Sequence, residues 1–293
     1  MKKVLITGAS GFTGLHACEY YRKRGYEVYG AVRSHHPPLK GVQSVICNLL
    51  DLEAMKVIIK EIEPQMILHL AAQNHSGQSW IDPVTTINTN VIGTMNLLES
   101  VKNSSPDASL LIIGSVIEYN PCHSTEPNHP YGLSKYIQTV LSTCWSSFYD
   151  LDIRIAKASN LIGPGRSNGI CSLLAHKCLQ YQKGVKEGFH FQNVLDHRDF
   201  LDVRDAVQAY DIILRNGTKN ETYVVASGRN YTLLEVAKKV KELSQSNLPL
   251  TTDQWKHIPG VPYKDEKLVK LGWKPTISLS QSLKEILDYH NDW

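Results

Sequence analysis

KVLITGASGFTG, residues Lys3–Gly14, reads as an apolar strand that runs through three glycines into a helix. Gly8, Gly11 and Gly14 mark the turn, with Phe12 and Thr13 inside it. A dinucleotide pyrophosphate bound at such a turn needs close backbone approach and free N–H groups at a helix N-terminus. Glycine permits the turn and removes a side chain that would block the phosphate. The second glycine lies three positions after the first, so the spacing is not the usual G-x-G-x-x-G, and the context has to support the reading.

Outward from this loop, strand and helix signals alternate. Strands are expected at Glu27–Val32, Ser44–Cys47, Met66–Leu70, Ser109–Gly114 and Ile153–Ala158. Helices are expected at Gly14–Gly25, Leu52–Ile62, Thr86–Lys102 and Tyr131–Tyr149. The first should end on its glycine and the second before Pro64. This alternation predicts an α/β fold with a doubly wound parallel sheet of the Rossmann type. Beyond Asn160 the regularity weakens, with helices at Ser172–Gln182, Leu233–Leu243 and Leu279–Tyr289 and a strand at Thr222–Val225 that rejoins the sheet. Ser278 and Gln281 fit a capping box. The expected division is a dinucleotide-binding domain over 1–160 with returning segments near 199–226. A smaller, discontinuous substrate-binding lobe covers 161–198 and 227–293.

The bulk composition narrows the classes. The chain has 293 residues, 42% hydrophobic and 20% charged, with a net charge of +3. That supplies a substantial core and argues against disorder. The charge is too small to demand nucleic acid or a membrane surface as partner. No apolar run approaches the length of a membrane span. MKKVLITG reads as a strand and not an export signal, because glycines interrupt it at once. The six cysteines lack paired zinc spacing and are expected as buried thiols in a reducing cytoplasm. His35 and His36 have no accompanying ligand pattern, so no metal is expected. Trp80, Trp145 and Trp255 are expected as core or interface aromatics.

The second strand ends EVYGAVRS. An acidic residue there would suit the ribose hydroxyls of NAD. This chain has Val32 and then Arg33, whose planar fork can pair with a 2′-phosphate, which favours NADP(H). A solvated surface arginine is the other reading. Asn48 and Leu49, after the third strand, are candidates to flank the adenine.

Tyr131 and Lys135 are four apart on one helix face, with Pro130 at the helix start. A nearby ammonium should lower the tyrosine pKa and allow proton exchange with a substrate oxygen. Ser115, at the end of the strand upstream, can hydrogen-bond the same oxygen. Phosphate loop, strand-end serine and Tyr-x-x-x-Lys, in that order, form a specific combination.

With these residues the chain resembles the extended short-chain dehydrogenases/reductases, the NAD-dependent epimerase/dehydratase family, over nearly its full length. HLAAQNH (His69–His75), NVIGTMNLLE (Asn90–Glu99), NLIGPG (Asn160–Gly165), RDFLDVRDAVQAY (Arg198–Tyr210) and LGWKP (Leu271–Pro275) extend the match. SWIDP, IGPG and RDFLDVRD resemble the GDP-4-keto-6-deoxy-D-mannose reductase subgroup especially. The resemblance implies Tyr131 as general acid, Lys135 as its activator and ribose anchor, and Ser115 as the carbonyl orienter. It adds Leu70, Ala71 and Ala72 to the cofactor contacts. It implies that Asn160 and Arg198 contact the phosphates of a nucleotide-diphosphate sugar and that Gln73, Asn74 and Glu118 lie near the hexose. An ion pair with Asp199 or Asp202 is the structural alternative for Arg198, and a hinge carboxylate that for Glu118. A homodimer through the helices at Thr86–Lys102 and Tyr131–Tyr149 is also implied.

Three chemistries share such a frame. Dehydratases carry proton-transferring groups one and two positions after the serine or threonine, where this chain has Val116 and Ile117. A 4-epimerase would hold NAD, which Val32 and Arg33 disfavour. NADPH-dependent reduction of the C4 ketone of a 4-keto-6-deoxy sugar remains, with epimerase and non-catalytic dinucleotide binder as alternatives. The chain departs from the subgroup at Lys157, at Ser159 and at His257–Gly260, where an arginine is missing, and the nucleotide base stays open.

Overall fold

A computed structural model describes residues 2–34, 39–122, 124–257, 260 and 262–291. His35, His36, Ile258 and Pro259, named above, lie outside the described residues. The chain divides into two compact units, Met1–Ala158 with Val207–Tyr223, and Ser159–Ala206 with Val224–Trp293.

The first part alternates as β1 (Lys3–Thr7), α1 (Phe12–Lys23), β2 (Glu27–Val32), β3 (Gln43–Ile46), α2 (Leu52–Ile62) and β4 (Met66–His69). Two short helices, α3 (Ser76–Ile81) and α4 (Pro83–Ile87), lead through a π-helical turn at Asn88–Ile92 into α5 (Gly93–Ser104). β5 (Ser109–Ser115), α6 (Pro130–Tyr149) and β6 (Ile153–Ala158) follow. Then come β7 (Asn160–Ile162), α7 (Ile170–Gln182), β8 (Phe189–Asn193), β9 (His197–Asp202), α8 (Val203–Asn216) and β10 (Thr222–Val225). The chain closes with β11 (Asn230–Thr232), α9 (Leu233–Ser244), β12 (Leu250–Gln254), α10 (Glu266–Lys270) and α11 (Leu279–Asn291).

The main sheet has the order β10-β6-β5-β4-β1-β2-β3. From β3 to β6 every neighbouring pair runs parallel. Its central strands are apolar on both faces: Val4, Leu5, Ile6, Ile67, Leu68, Leu110, Leu111 and Ile112 are fully buried. Helices must cover both faces of such a sheet, which is why continuous Val/Ile/Leu runs select this architecture. Parallel strands also bring all their carboxyl ends to one edge, where Thr7, His69 and Ser115 stand.

Helix ends follow local chemistry. Gly25 takes φ +76° after α1, with its N–H on the Arg22 carbonyl. Asp51 caps α2 by accepting from the Ala54 amide at 3.0 Å. The long helix expected at Thr86–Lys102 instead begins at Pro83 and contains the π-helical turn, where the α-helical hydrogen-bond register shifts. The capping box expected at Ser278 and Gln281 is half made. Gln281 N–H reaches the serine hydroxyl at 3.2 Å, but its side chain turns to Glu285. The complete box lies at Thr232 and Glu235, opening α9.

In the second unit β11, β9 and β7 form one small sheet and β12 and β8 another. α7, α9 and α11 supply an apolar core that includes Leu174, Cys178, Val236, Val240, Leu283 and Ile286. The aspartates of RDFLDVRD are buried staples. Asp199 accepts from Ser227 and the Arg229 amide, Asp202 from Arg204 and Ser282, and Asp205 from Thr276 and the Ile277 amide. Each therefore pins a distant stretch of this unit to one short segment. Trp273 of LGWKP is buried and donates to the Asp205 carbonyl at 3.0 Å. Trp80 and Trp255 are largely exposed and so lie outside the core, and Cys122 is exposed, against the expectation of a buried thiol. Among the described residues no helix is long and apolar enough to cross a membrane.

Candidate active site

The glycine loop lies between β1 and α1, and its own backbone explains two glycines. A Cβ on Gly14 would stand 2.1 Å from the Gly8 carbonyl oxygen, and one on Gly8, at φ +69°, 2.9 Å from the backbone of Ala71. Glycine was expected here both for the turn and for close approach of a phosphate. The structure shows that Gly8 and Gly14 are required by the loop's packing on itself and on the turn after β4. Gly11 is the N-cap of α1, without a side-chain cap and without an acidic residue in the first turn. The first turn thus carries no carboxylate of its own, and the helix N-terminus suits an anion. The cradle fits a pyrophosphate. Arg33 is exposed at the end of β2 and makes no ion pair with a described residue. Asn48 is exposed, its side chain accepting from the Leu50 amide, and the Leu49 carbonyl accepts from Asn96. Leu70, Ala71 and Ala72 follow β4 half-buried, the Ala71 amide donating to Thr7 Oγ1 at 3.2 Å.

β5 and α6 bring Ser115, Tyr131 and Lys135 together, all buried. His129 caps α6, accepting from the Gly132 amide at 2.7 Å, and Pro130 takes the first helical position. The Tyr131 amide donates to Ser79 Oγ on α3, and the His129 and Tyr131 rings stack at 5.9 Å. Burial pushes the Tyr131 phenol up to about 12, and a hydrogen bond with Ser115 pulls the other way. Burial pushes the Lys135 amine down to about 8, against the attraction of Glu118. The expected depression of the tyrosine by the lysine is therefore absent. The lysine donates to the Ile113 carbonyl at 2.7 Å and to Gln138 Oε1 at 2.8 Å. Desolvation outweighs the attraction of a cation whose hydrogen bonds are spent elsewhere.

Gln73 is clamped from two sides. Asn90, in the π-helical turn, accepts from its amide and donates to its carbonyl, and also donates to Ser134 on α6. The Gln73 side-chain oxygen accepts from the His75 amide, while its Nε2 is buried without a partner among the described residues. Asn74 is exposed beside it. Glu118 is almost fully buried, paired with Lys157 at 2.7 Å and accepting from Thr139. Lys157, a departure in the sequence, thus neutralises a buried carboxylate. In the second unit Asn160 donates to the Asp199 carbonyl at 2.9 Å. Arg198 pairs with Asp196 through two nitrogens at 3.0 and 2.8 Å, not with Asp199 or Asp202. Those two carboxylates are already saturated as staples.

Sequence reasoning missed Ser79, Asn90, His129 and the buried polar side chains around Lys135. The available signal was polar residues at i, i+4 spacing, Asn90 and Thr94, beside the apolar positions Val91, Leu97 and Leu98.

The family model for the NAD dependent epimerase/dehydratase family matches residues 4–226. The chain is 26% identical to a GDP-6-deoxy-D-mannose reductase of Pseudomonas aeruginosa, over 100% of this chain and 97% of that protein. It is 28% identical to a putative UDP-glucose 4-epimerase of Methanocaldococcus jannaschii, over 98% and 97%. Among solved structures it superposes on RMD from Pseudomonas aeruginosa complexed with NADPH, with a TM-score of 0.82 at 25% identity, covering 100% of this chain and 99% of that one.

Proposed function

This chain belongs to the NAD dependent epimerase/dehydratase family, and on that premise we propose that it is an NADPH-dependent reductase of the C4 ketone of a nucleotide-linked 4-keto-6-deoxy sugar. The observation that carries the reading is the buried Ser115–Tyr131–Lys135 group in a chain similar to a GDP-6-deoxy-D-mannose reductase. Gly8, Gly11, Phe12, Thr13 and Gly14 hold the pyrophosphate, Leu70, Ala71 and Ala72 line the cofactor, and Asn48 and Leu49 flank the adenine. Arg33, exposed and unpaired with any described carboxylate, takes the 2′-phosphate. The bound nicotinamide supplies hydride.

The chain's own residues manage the proton. With its pKa raised to about 12, Tyr131 is a neutral phenol near neutral pH and can donate its proton to an alkoxide forming at the substrate oxygen. Ser115 orients that oxygen and shares its charge. Lys135 keeps a third N–H after its bonds to Ile113 and Gln138, and that donor serves the ribose or the phenolate left behind. Val116 and Ile117 cannot transfer protons, which weighs against dehydration. Gln73 and Asn74 face the sugar, the unpartnered Gln73 Nε2 offering a donor. Glu118, held by Lys157 and Thr139, contributes charge near the pair and no direct contact. Asn160 and Arg198 bind the nucleotide phosphates, Arg198 by exchanging its exposed bond to Asp196. The reading includes a homodimer through α5 and α6, where Val140 and Phe148 are exposed, and a cytoplasmic location.

The second reading is a nucleotide-sugar 4-epimerase, favoured by the similarity to the putative epimerase. NADPH consumption with 4-keto-6-deoxy sugars on GDP, CDP, UDP and dTDP separates the two. Oxidation with one of them is expected. Tyr131→Phe should lower turnover by about 10²–10⁴-fold while leaving NADPH binding intact. Silence across the panel, together with interconversion of nucleotide hexose epimers, would replace the reductase with the epimerase.

A further inference from the structure

Behind the Lys135 amine runs a chain of buried polar side chains with no part in the proton transfer just described. Lys135 Nζ donates to Gln138 Oε1 at 2.8 Å, and Gln138 Nε2 donates to Thr94 Oγ1 at 2.8 Å. Thr94 Oγ1 lies 3.0 Å from His69 Nε2, and His69 Nδ1 lies 2.8 Å from Thr7 Oγ1. The Ala71 amide closes the far end on Thr7 Oγ1 at 3.2 Å. The chain thus joins α6, α5, β4 and β1, and ends at the foot of the glycine loop.

Proton counting fixes the direction of every link. A hydroxyl has one proton to give and two lone pairs. Thr94 gives its proton to the Asn90 carbonyl at 2.7 Å, so it must accept from both Gln138 and His69. His69 therefore carries its proton on Nε2, and its bare Nδ1 accepts from Thr7. An ammonium cannot accept, so the Gln138 amide cannot flip: its oxygen must face Lys135 and its nitrogen Thr94. Gln138 and Thr94 are fully or almost fully buried, so water offers these groups no substitute partners.

We propose that Gln138 is a positioning residue for Lys135, its carbonyl oxygen locked toward the ammonium by the directed chain through Thr94 and His69 to Thr7. The charged groups around Lys135 are few. His69 on β4 is neutral, Tyr131 on α6 is a neutral phenol, and Glu118 after β5 is already paired with Lys157. Glu118 attracts the buried amine across space, while the Gln138 oxygen and the Ile113 carbonyl accept its hydrogen bonds directly. The single turn at Asn90 serves both ends: its side chain clamps Gln73, and its carbonyl takes the Thr94 proton that sets the polarity. The importance of this for turnover rests on the reductase reading, but the proton inventory does not.

The test is nuclear magnetic resonance on the cofactor-free chain, labelled with 13C at lysine Cε and 15N in histidine. His69 should show a protonated Nε2 and a bare Nδ1, with no titration between about pH 5 and about pH 9. In Gln138→Leu the Lys135 midpoint should fall by about 1–2 pH units, the loss of one hydrogen bond to a charged group. In Gln138→Glu it should rise by at least about one unit. The alkaline limb of NADPH oxidation should move in the same directions. A merely structural glutamine would change stability without moving the two midpoints in opposite senses. The proposal is overturned by a Lys135 midpoint that stays put in both folded variants, or by a wild-type His69 protonated on Nδ1. That second readout stands even if a Gln138 variant does not fold. Midpoints that follow Gln138 in a chain inactive on every sugar would sustain this inference and sink the reductase.

Discussion

Acid should destabilise this chain strongly through His69. Its imidazole is fully buried between Thr7 and Thr94, and desolvation, aided by the Lys135 charge, pushes its pKa down to about 3 from an ordinary 6.5. Between these values the unfolded chain binds a proton that the folded chain refuses, so stability falls as pH drops through that window. Integrating the two titrations between about pH 7 and about pH 4 gives a loss of about 3 kcal/mol from this group. That is a large share of the roughly 5–15 kcal/mol by which domains are stable. Other groups also titrate in this range, and a variant separates them. His69→Gln keeps an acceptor toward Thr7 and a donor toward Thr94 but cannot be protonated. Urea unfolding followed by tryptophan fluorescence, at several pH values, should give the variant a shallower acid decline, less steep by about 3 kcal/mol over the window. If the two proteins decline in parallel, His69 is not held neutral by the fold. The directed chain from Thr7 to Lys135 then loses its central link.

Two further outcomes test the site from other sides. Arg33→Ala should weaken NADPH binding far more than NADH binding in equilibrium titrations, and equal losses would return Arg33 to a solvated surface role. Lys157→Met should destabilise by about 3 kcal/mol or more, because it strands the buried Glu118 carboxylate, and adding Glu118→Gln should recover most of that in thermal unfolding; an undisturbed Lys157→Met protein would mean that the pair carries no charge worth protecting.

The core strands and the main helices of the first unit were legible because each is a local pattern. Continuous apolar runs mark strands buried on both faces, and Gly25, Pro64 and Pro130 punctuate helices by conformational rules that act within a few residues. The second unit was poorly legible for the opposite reason. β7, β8, β11 and β12 are short and partly exposed, and they pair only with segments distant in the chain. α8 escaped notice because RDFLDVRDAVQAY was read as a signature and not for its helical spacing.

What the sequence determined by itself was the order of the chemistry: glycine loop, strand-end serine, tyrosine and lysine on one helical face. That order is covalent and needs no tertiary information. Only the tertiary structure decided the electrostatic state of those groups. Lys135 looked like the cation that would acidify Tyr131. Burial raises the tyrosine instead, and the lysine's hydrogen bonds go to Ile113 and Gln138. The same holds for the aspartates beside Arg198, which sequence proximity offered as its partners and which the fold spends on remote segments, Ser227 and Ser282. Desolvation and hydrogen-bond partnership depend on what packs around a group in space, and residues far apart in the chain supply that packing.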